Sequence, residues 1–244
     1  MSVFLFIEIC IYKTQIYRMK KIIFFDVCNT LVDTNSTVEY VNFLVKNNVG
    51  NEKCAKLLKN KYLSYFSYIV RKYTKYDLHR KITFKFFKWI NIKDEKNLQS
   101  IFFNEYFSKR TKVMDILINS IDKKQNDIYL ISASINQPID LLSKHLGVKS
   151  FSSKLIIEND VYTWKAQYDL LWNKEYALKN SNISLNDYNE CLFYTDNISD
   201  FSFIKFLQIQ SNNLKVYPII NNKRNITIRQ KFLNNNEIKY EFIS

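Results

Sequence analysis

The stretch Lys20-Lys21-Ile22-Ile23-Phe24-Phe25-Asp26-Val27-Cys28-Asn29-Thr30-Leu31-Val32 constrains the fold more than any other. Its apolar run has the length of one strand and stops at a carboxylate, and a Cys-Asn-Thr turn follows before the pattern becomes polar and helical. Such a run reads as a buried parallel strand that delivers Asp26 to the carboxyl edge of a sheet. Open α/β sheets place their chemistry at that edge.

Two later runs end in the same way. Asp127-Ile128-Tyr129-Leu130-Ile131-Ser132-Ala133-Ser134 closes on hydroxyls, and Glu190-Cys191-Leu192-Phe193-Tyr194-Thr195-Asp196 closes on a second carboxylate. Around them the pattern alternates. A helix is expected over Asn136 to Leu146, with Pro138 in its first turn and Gly147 just past its end. Short β segments are expected near 151–157 and 161–163, helices over 165–179 and 198–207, and a last strand over 214–217. Between the first two strands the sequence is helical instead. Ser36 and Glu39 have the spacing of a capping box, and amphipathic segments follow near 51–73, 77–90 and 94–120.

This order predicts an α/β fold: a Rossmann-like parallel sheet core formed by residues 19–33 and 126–244, with a helical module inserted over 34–125. Residues 1–18 read as an extension or a misassigned start ahead of Met19. Their apolar part, Ser2 to Tyr12, is too short to span a bilayer and lacks the marks of a signal peptide.

Composition removes several alternatives. The chain holds two glycines, Gly50 and Gly147, so a Gly-rich phosphate loop is excluded and Asn, Asp and Ser must make most turns. Its four cysteines are scattered without ligand spacing, which fits reduced thiols in a cytoplasmic protein better than a disulfide framework or a zinc site. The formal charge is +13, and residues 34–125 hold nineteen Lys and Arg against eight Asp and Glu. A solvated basic surface, or one that attracts anionic substrates, accounts for this charge, and no recognised nucleic-acid-binding motif accompanies it.

Asp26 and Asp196 at neighbouring strand ends, joined by Asp200 four residues on, make an oxygen-rich cluster suited to Mg²⁺ with a substrate phosphate. A carboxylate beside such a phosphate can attack phosphorus and split one hydrolysis into two displacements. Ser132 is placed to hydrogen-bond the phosphoryl group. Lys165, at the start of the expected 165–179 helix, is the candidate cation, with Lys174 as the alternative.

Together, Phe24-Phe25-Asp26-Val27-Cys28-Asn29-Thr30-Leu31, Leu130-Ile131-Ser132-Ala133-Ser134, Lys165 and Tyr194-Thr195-Asp196-Asn197-Ile198-Ser199-Asp200 resemble the four ordered motifs of the haloacid dehalogenase-like hydrolases. The likeness is greatest to their phosphoserine phosphatase-like branch. The resemblance implies that the inserted module is a helical cap and that the substrate is a small phosphorylated metabolite. It makes Asp26 the nucleophile, with Thr30 supporting its loop and Ser132 and Lys165 holding the phosphoryl group. Mg²⁺ is then held by Asp26, the Cys28 backbone carbonyl and Asp196, with Asp200 orienting metal waters or the lysine. Cys28 departs from the pattern, because phosphatases of this family usually carry there a second Asp that serves as general acid and base. The alternative implied is a weakened or phosphotransfer relative that keeps the fold and the metal site.

Overall fold

The computed structural model describes residues 20–74 and 76–219, so the expectations for residues 1–18 and for the Asn-rich tail beyond 221 lie outside the described residues. Six strands form one sheet in the order β4-β3-β2-β1-β5-β6: β1 (Lys21–Phe25), β2 (Asp127–Ile135), β3 (Lys149–Glu158), β4 (Val161–Tyr168), β5 (Glu190–Thr195) and β6 (Leu214–Pro218). All neighbours are parallel except β3 and β4.

β1 lies inside the sheet because both of its faces are apolar. Ile22 and Phe24 point into one core, with Cys191, Phe193, Phe203 and Leu207, while Ile23 and Phe25 point into the other, with Leu44, Leu130, Ile139 and Leu142. Phe24 and Phe25 are wholly buried, and each such ring contributes roughly 1.5–3 kcal/mol through burial. In register, Phe25 faces Leu130 on one side and Tyr194 on the other. β1 and β5 therefore end together, and although β2 runs on to Ile135, the shared register brings Asp26, Ser132 and Asp196 to a common edge.

Between β1 and β2 lie α1 (Ser36–Lys46), α2 (Glu52–Leu58), α3 (Lys61–Thr74), α4 (Leu78–Phe87), α5 (Ile92–Phe107) and α6 (Lys112–Ser120). The three amphipathic segments expected here are five helices, because side-chain caps interrupt them. Asn60 accepts from the Tyr62 and Leu63 amides at the start of α3, and Thr111 accepts from Met114 N–H at the start of α6. The expected Ser36 cap is also displaced by one residue. Asn35 caps α1 through Val38 N–H, and Glu39 bonds Thr34 instead.

α7 (Asn136–Leu146) follows β2 and ends at Gly147 in the left-handed region, as its sequence predicts. Gly50 is the other glycine with positive φ, and a Cβ there would run into the Phe86 ring. Asn29, Asn48, Asn159 and Asp160 also adopt positive φ, so Asn and Asp do serve as turn residues in this glycine-poor chain.

Residues 165–179 are not one helix. β4 runs on to Tyr168, a turn follows, and α8 (Glu175–Lys179) is short; α9 (Phe201–Gln210) comes after β5, behind a 3₁₀ turn at Ile198–Asp200. No helix of the described residues is long and apolar enough to cross a membrane.

Candidate active site

Asp26, the residue after β1, is 5% exposed, and its own N–H is held by the Tyr194 carbonyl. Lys174 Nζ donates to Asp26 Oδ1 at 2.6 Å and to Asp200 Oδ2 at 2.8 Å. The same Asp200 oxygen accepts from Thr195 Oγ1 at 2.6 Å. Thr30 Oγ1 stands 3.4 Å from both Asp26 Oδ2 and Asp196 Oδ1 and accepts the Asp196 N–H at 3.1 Å. One hydroxyl thus ties the β1 loop to the end of β5. The left-handed Asn29 lets that loop turn back, and Thr111 at the start of α6 fastens it by donating to the Thr30 carbonyl.

Lys165 takes no part in this arrangement. It lies exposed on β4, where neighbouring side chains alternate faces, and it does not line the cleft. The lysine brought to the carboxylates is Lys174, 5% exposed and reached by the turn that follows β4. Ser132, 1% exposed, does line the cleft, and its Oγ accepts from Ser134 N–H.

The cluster is electrostatically crowded. Burial first, then the Asp200 charge, pushes the Asp26 carboxyl up to about 6 against the pull of Lys174. Burial, with Asp26 and Asp200, pushes Asp196 up to about 8. Burial pulls on the Lys174 ammonium in the opposite sense, but Asp200 and Asp26 outweigh it and hold the ammonium above the ordinary lysine value. Three carboxylates facing one ammonium carry an excess of negative charge in a poorly solvated place, which a divalent cation would relieve. Among the described residues no group of three or more His, Cys, Asp or Glu side chains is arranged to hold a metal. Mg²⁺ needs no such group, since it is usually held through one or two carboxylates together with waters and a substrate phosphate.

This crowding has a pH signature. A carboxyl whose folded pKa lies above its unfolded value makes the native state bind more protons, so stability falls as pH rises between the two values. Asp26 and Asp196 act between about 4 and 8, and Glu95, fully buried and raised by that burial, acts in the same direction. Against partial burial, Lys109, Lys20 and Lys21 hold Glu39, Asp127 and Glu190 below their ordinary values, so their opposite contribution is complete before the upper part of this range. The melting temperature in EDTA is therefore expected to fall from pH 5.5 to 8, and millimolar Mg²⁺ is expected to flatten that fall. Parallel curves with and without Mg²⁺, measured by scanning calorimetry, would remove the cation from the site.

Cys28 Sγ lies 3.2 Å from Ser36 Oγ and 3.1 Å from Ser134 Oγ, and Ser36 N–H points to it at 3.4 Å. Ser36 Oγ bonds in turn to Tyr106 of α5. Burial, then the nearby Asp26 carboxylate, raises the thiol above its ordinary value. The local pattern marks Ser36 only as a helix cap and does not point to its partnership with Cys28.

The cleft above these groups has a volume of about 430 Å³, within the range of small-molecule sites. Its floor includes Asp26, Cys28, Ser132, Lys174 and Asp200, and its far side is built from the helical insert through Asn35, Thr37, Ser67, Tyr68, His79 and Arg80.

No protein-family model and no curated protein sequence matches the chain. Solved structures do match it. A protein of unknown function from Bordetella pertussis Tohama I is similar with a TM-score of 0.69 at 13% identity, over 93% of this chain and 99% of that one. A HAD family hydrolase from Salmonella enterica serovar Typhi is similar with a TM-score of 0.52 at 14% identity, over 82% of this chain and 63% of that one. A probable phosphoserine phosphatase from Vibrio cholerae gives 0.51 at 10% identity, over 81% and 56%. At these identities the likeness is one of fold, a fold shared with a HAD family hydrolase and a probable phosphoserine phosphatase.

Proposed function

We propose that this protein is a phosphatase of small phosphorylated compounds that works through an aspartyl-phosphate on Asp26. The observation that carries this reading is the buried Lys174 bridging Asp26 and Asp200 at the floor of a cleft that also holds Ser132.

With Asp26 Oδ1 held by the ammonium at 2.6 Å, Oδ2 is the oxygen that attacks phosphorus. The phosphoryl–oxygen bond of the ester breaks, the leaving oxygen takes a proton from the Cys28 thiol or from solvent, and Asp26 carries the phosphoryl group. Water then displaces the carboxylate and releases inorganic phosphate. Ser132 and Lys174 face the charge on the phosphoryl oxygens, in a site where fixed donors are worth more than in water. Mg²⁺ would be held by Asp26, Asp196 and the Cys28 carbonyl, and when bound it supplies positive charge against the phosphoryl group. Asp200, already bonded to Lys174 and Thr195, orients the lysine. The helical insert and its surplus of positive charge serve as a cap that attracts the anionic substrate and excludes bulk water.

With wild-type protein, 4-nitrophenyl phosphate hydrolysis is expected with Mg²⁺ and is lost in EDTA. Asp26→Asn is expected to reduce it by at least about 10³-fold, since losing a nucleophile removes the covalent path. Activity retained by Asp26→Asn would refute the mechanism.

A second reading is favoured by Cys28: burial beside Asp26 holds its thiol above the ordinary value, so it stays protonated near neutrality and offers water no free base. The chain would then load Asp26 and release phosphate slowly, or pass it to another acceptor. A burst of nitrophenol equal to the enzyme concentration, followed by slow turnover, marks this case.

A further inference from the structure

Arg80 and Asp169 lie 89 residues apart and belong to no motif, yet they make the densest polar junction beside the site. Arg80 Nε donates to both Asp169 oxygens, at 2.9 and 2.8 Å, and Nη2 lies 2.7 Å from Oδ1. Nη2 also donates to the Ala133 carbonyl at 2.5 Å and to Ser153 Oγ at 2.8 Å.

The Ala133 carbonyl is backbone beside a site residue, and the Asp169 and Ser153 side chains in turn hold backbone ahead of another. β2 pairs with β3 up to Ser132 and Ser152, then the register breaks and resumes at Ile135 and Ser153. Ala133 sits in that irregularity, where a strand carbonyl needs a partner outside the ladder. Arg80 and Ser153 supply it, Ser153 donating at 2.9 Å. The peptide so gripped directly follows Ser132. On the other side, Asp169 Oδ1 accepts Leu171 N–H at 3.0 Å and Ser153 Oγ accepts Leu170 N–H at 2.9 Å. These bonds fix the turn in which Trp172 is held at a φ of 64° and from which Lys174 reaches Asp26. Positive φ is costly for a bulky residue and persists only where the surroundings impose it.

We propose that Arg80 and Asp169 are a positioning pair: through Ala133 and the 170–173 turn, one ion pair sets the places of Ser132 and Lys174 relative to Asp26. Arg80 comes from α4 of the insert, so the same pair makes the phosphoryl site depend on the insert being seated on the sheet. The fork of a guanidinium is needed, since a single side chain must meet a carboxylate, a carbonyl and a hydroxyl together.

This inference rests on the phosphatase reading, and its test separates the two. Orthovanadate, an oxyanion that mimics the phosphoryl group, is titrated with Mg²⁺ into wild type, Arg80→Met and Asp169→Asn by calorimetry. kcat and KM for 4-nitrophenyl phosphate and the melting temperature are measured alongside. Each variant is expected to lose about 10- to 100-fold in vanadate affinity and in kcat, the usual effect of removing a supporting partner, with KM changed less than about threefold. The double variant is expected to lose little more than either single one, because both break one junction. Folded variants with vanadate affinity and kcat within about twofold of wild type, or losses that multiply in the double variant, would overturn the pair. If Arg80→Met does not fold, Arg80→Lys, which keeps charge and stem but not the fork, gives the same readout. Wild-type protein that neither binds vanadate nor turns over the ester would instead refute the phosphatase reading.

Discussion

Lys174→Met is expected to lower 4-nitrophenyl phosphate turnover by about 10²- to 10³-fold, the scale of losing one fixed donor to developing charge, while Lys165→Met stays within about twofold of wild type. The geometry makes the difference. Lys174 is 5% exposed and touches two carboxylates, whereas Lys165 is an exposed strand residue outside the cleft. Stability should also respond, because methionine fills the space of the lysine but leaves Asp26 and Asp200 without their cation. Breaking a buried pair from one side costs about 3–5 kcal/mol. That cost should shrink as pH falls, since Asp26, already pushed up to about 6, rises further without the ammonium and takes a proton. Urea unfolding at pH 7 and at pH 5.5 would show a smaller loss at the lower pH. Equal activity losses in the two lysine variants would return the phosphoryl-binding role to an undefined basic surface.

The lysine also shows where sequence reasoning stops. Asp26, Ser132 and Asp196 are legible because an apolar run states both the strand and its end, and parallel register then brings distant strand ends to one edge. The position of Lys174 depends on a turn that no periodicity records. Residues 161–163 read as β, but the strand continues through Lys165 to Tyr168 because Asn159 and Asp160, both with positive φ, fold it back onto β3 as a hairpin. The Asn-Asp pair marks the turn between the two β runs but not how far β4 continues beyond it, and that length is what displaces the helix. The helical insert is legible as helices but not in its breaks, since caps such as Asn60 and Thr111 are single polar residues among many. Arg80 and Asp169 are beyond reach altogether, because their partnership exists only once the insert and the end of β4 have been folded against each other.

The Cys28 site tests whether the chain has kept what a hydrolase of this fold needs. Around Sγ stand Ser36 N–H, Ser36 Oγ and Ser134 Oγ, at 3.4, 3.2 and 3.1 Å, and Ser36 opens α1, whose N-terminus favours negative charge. One backbone N–H and two hydroxyls at a helix start can hydrogen-bond a carboxylate better than a thiol. Cys28→Asp is therefore expected to fold and to raise kcat by at least about 10-fold, a part of the roughly 10²- to 10⁴-fold that general acid–base help supplies when fully effective. Cys28→Ser, equally small but without an ionisable group near neutrality, should give no gain. Stopped-flow and steady-state measurements distinguish the steps: if the thiol limits water activation, the nitrophenol burst expected with Cys28 disappears in Cys28→Asp as dephosphorylation overtakes loading. Asp26→Asn in the Cys28→Asp background should be inactive, since the new carboxylate can move protons but is not placed to carry the phosphoryl group. If Cys28→Asp gains nothing over Cys28→Ser while vanadate still binds, proton transfer does not limit this site, and the thiol stands in a protein built to hold or pass on a phosphoryl group instead of hydrolysing it.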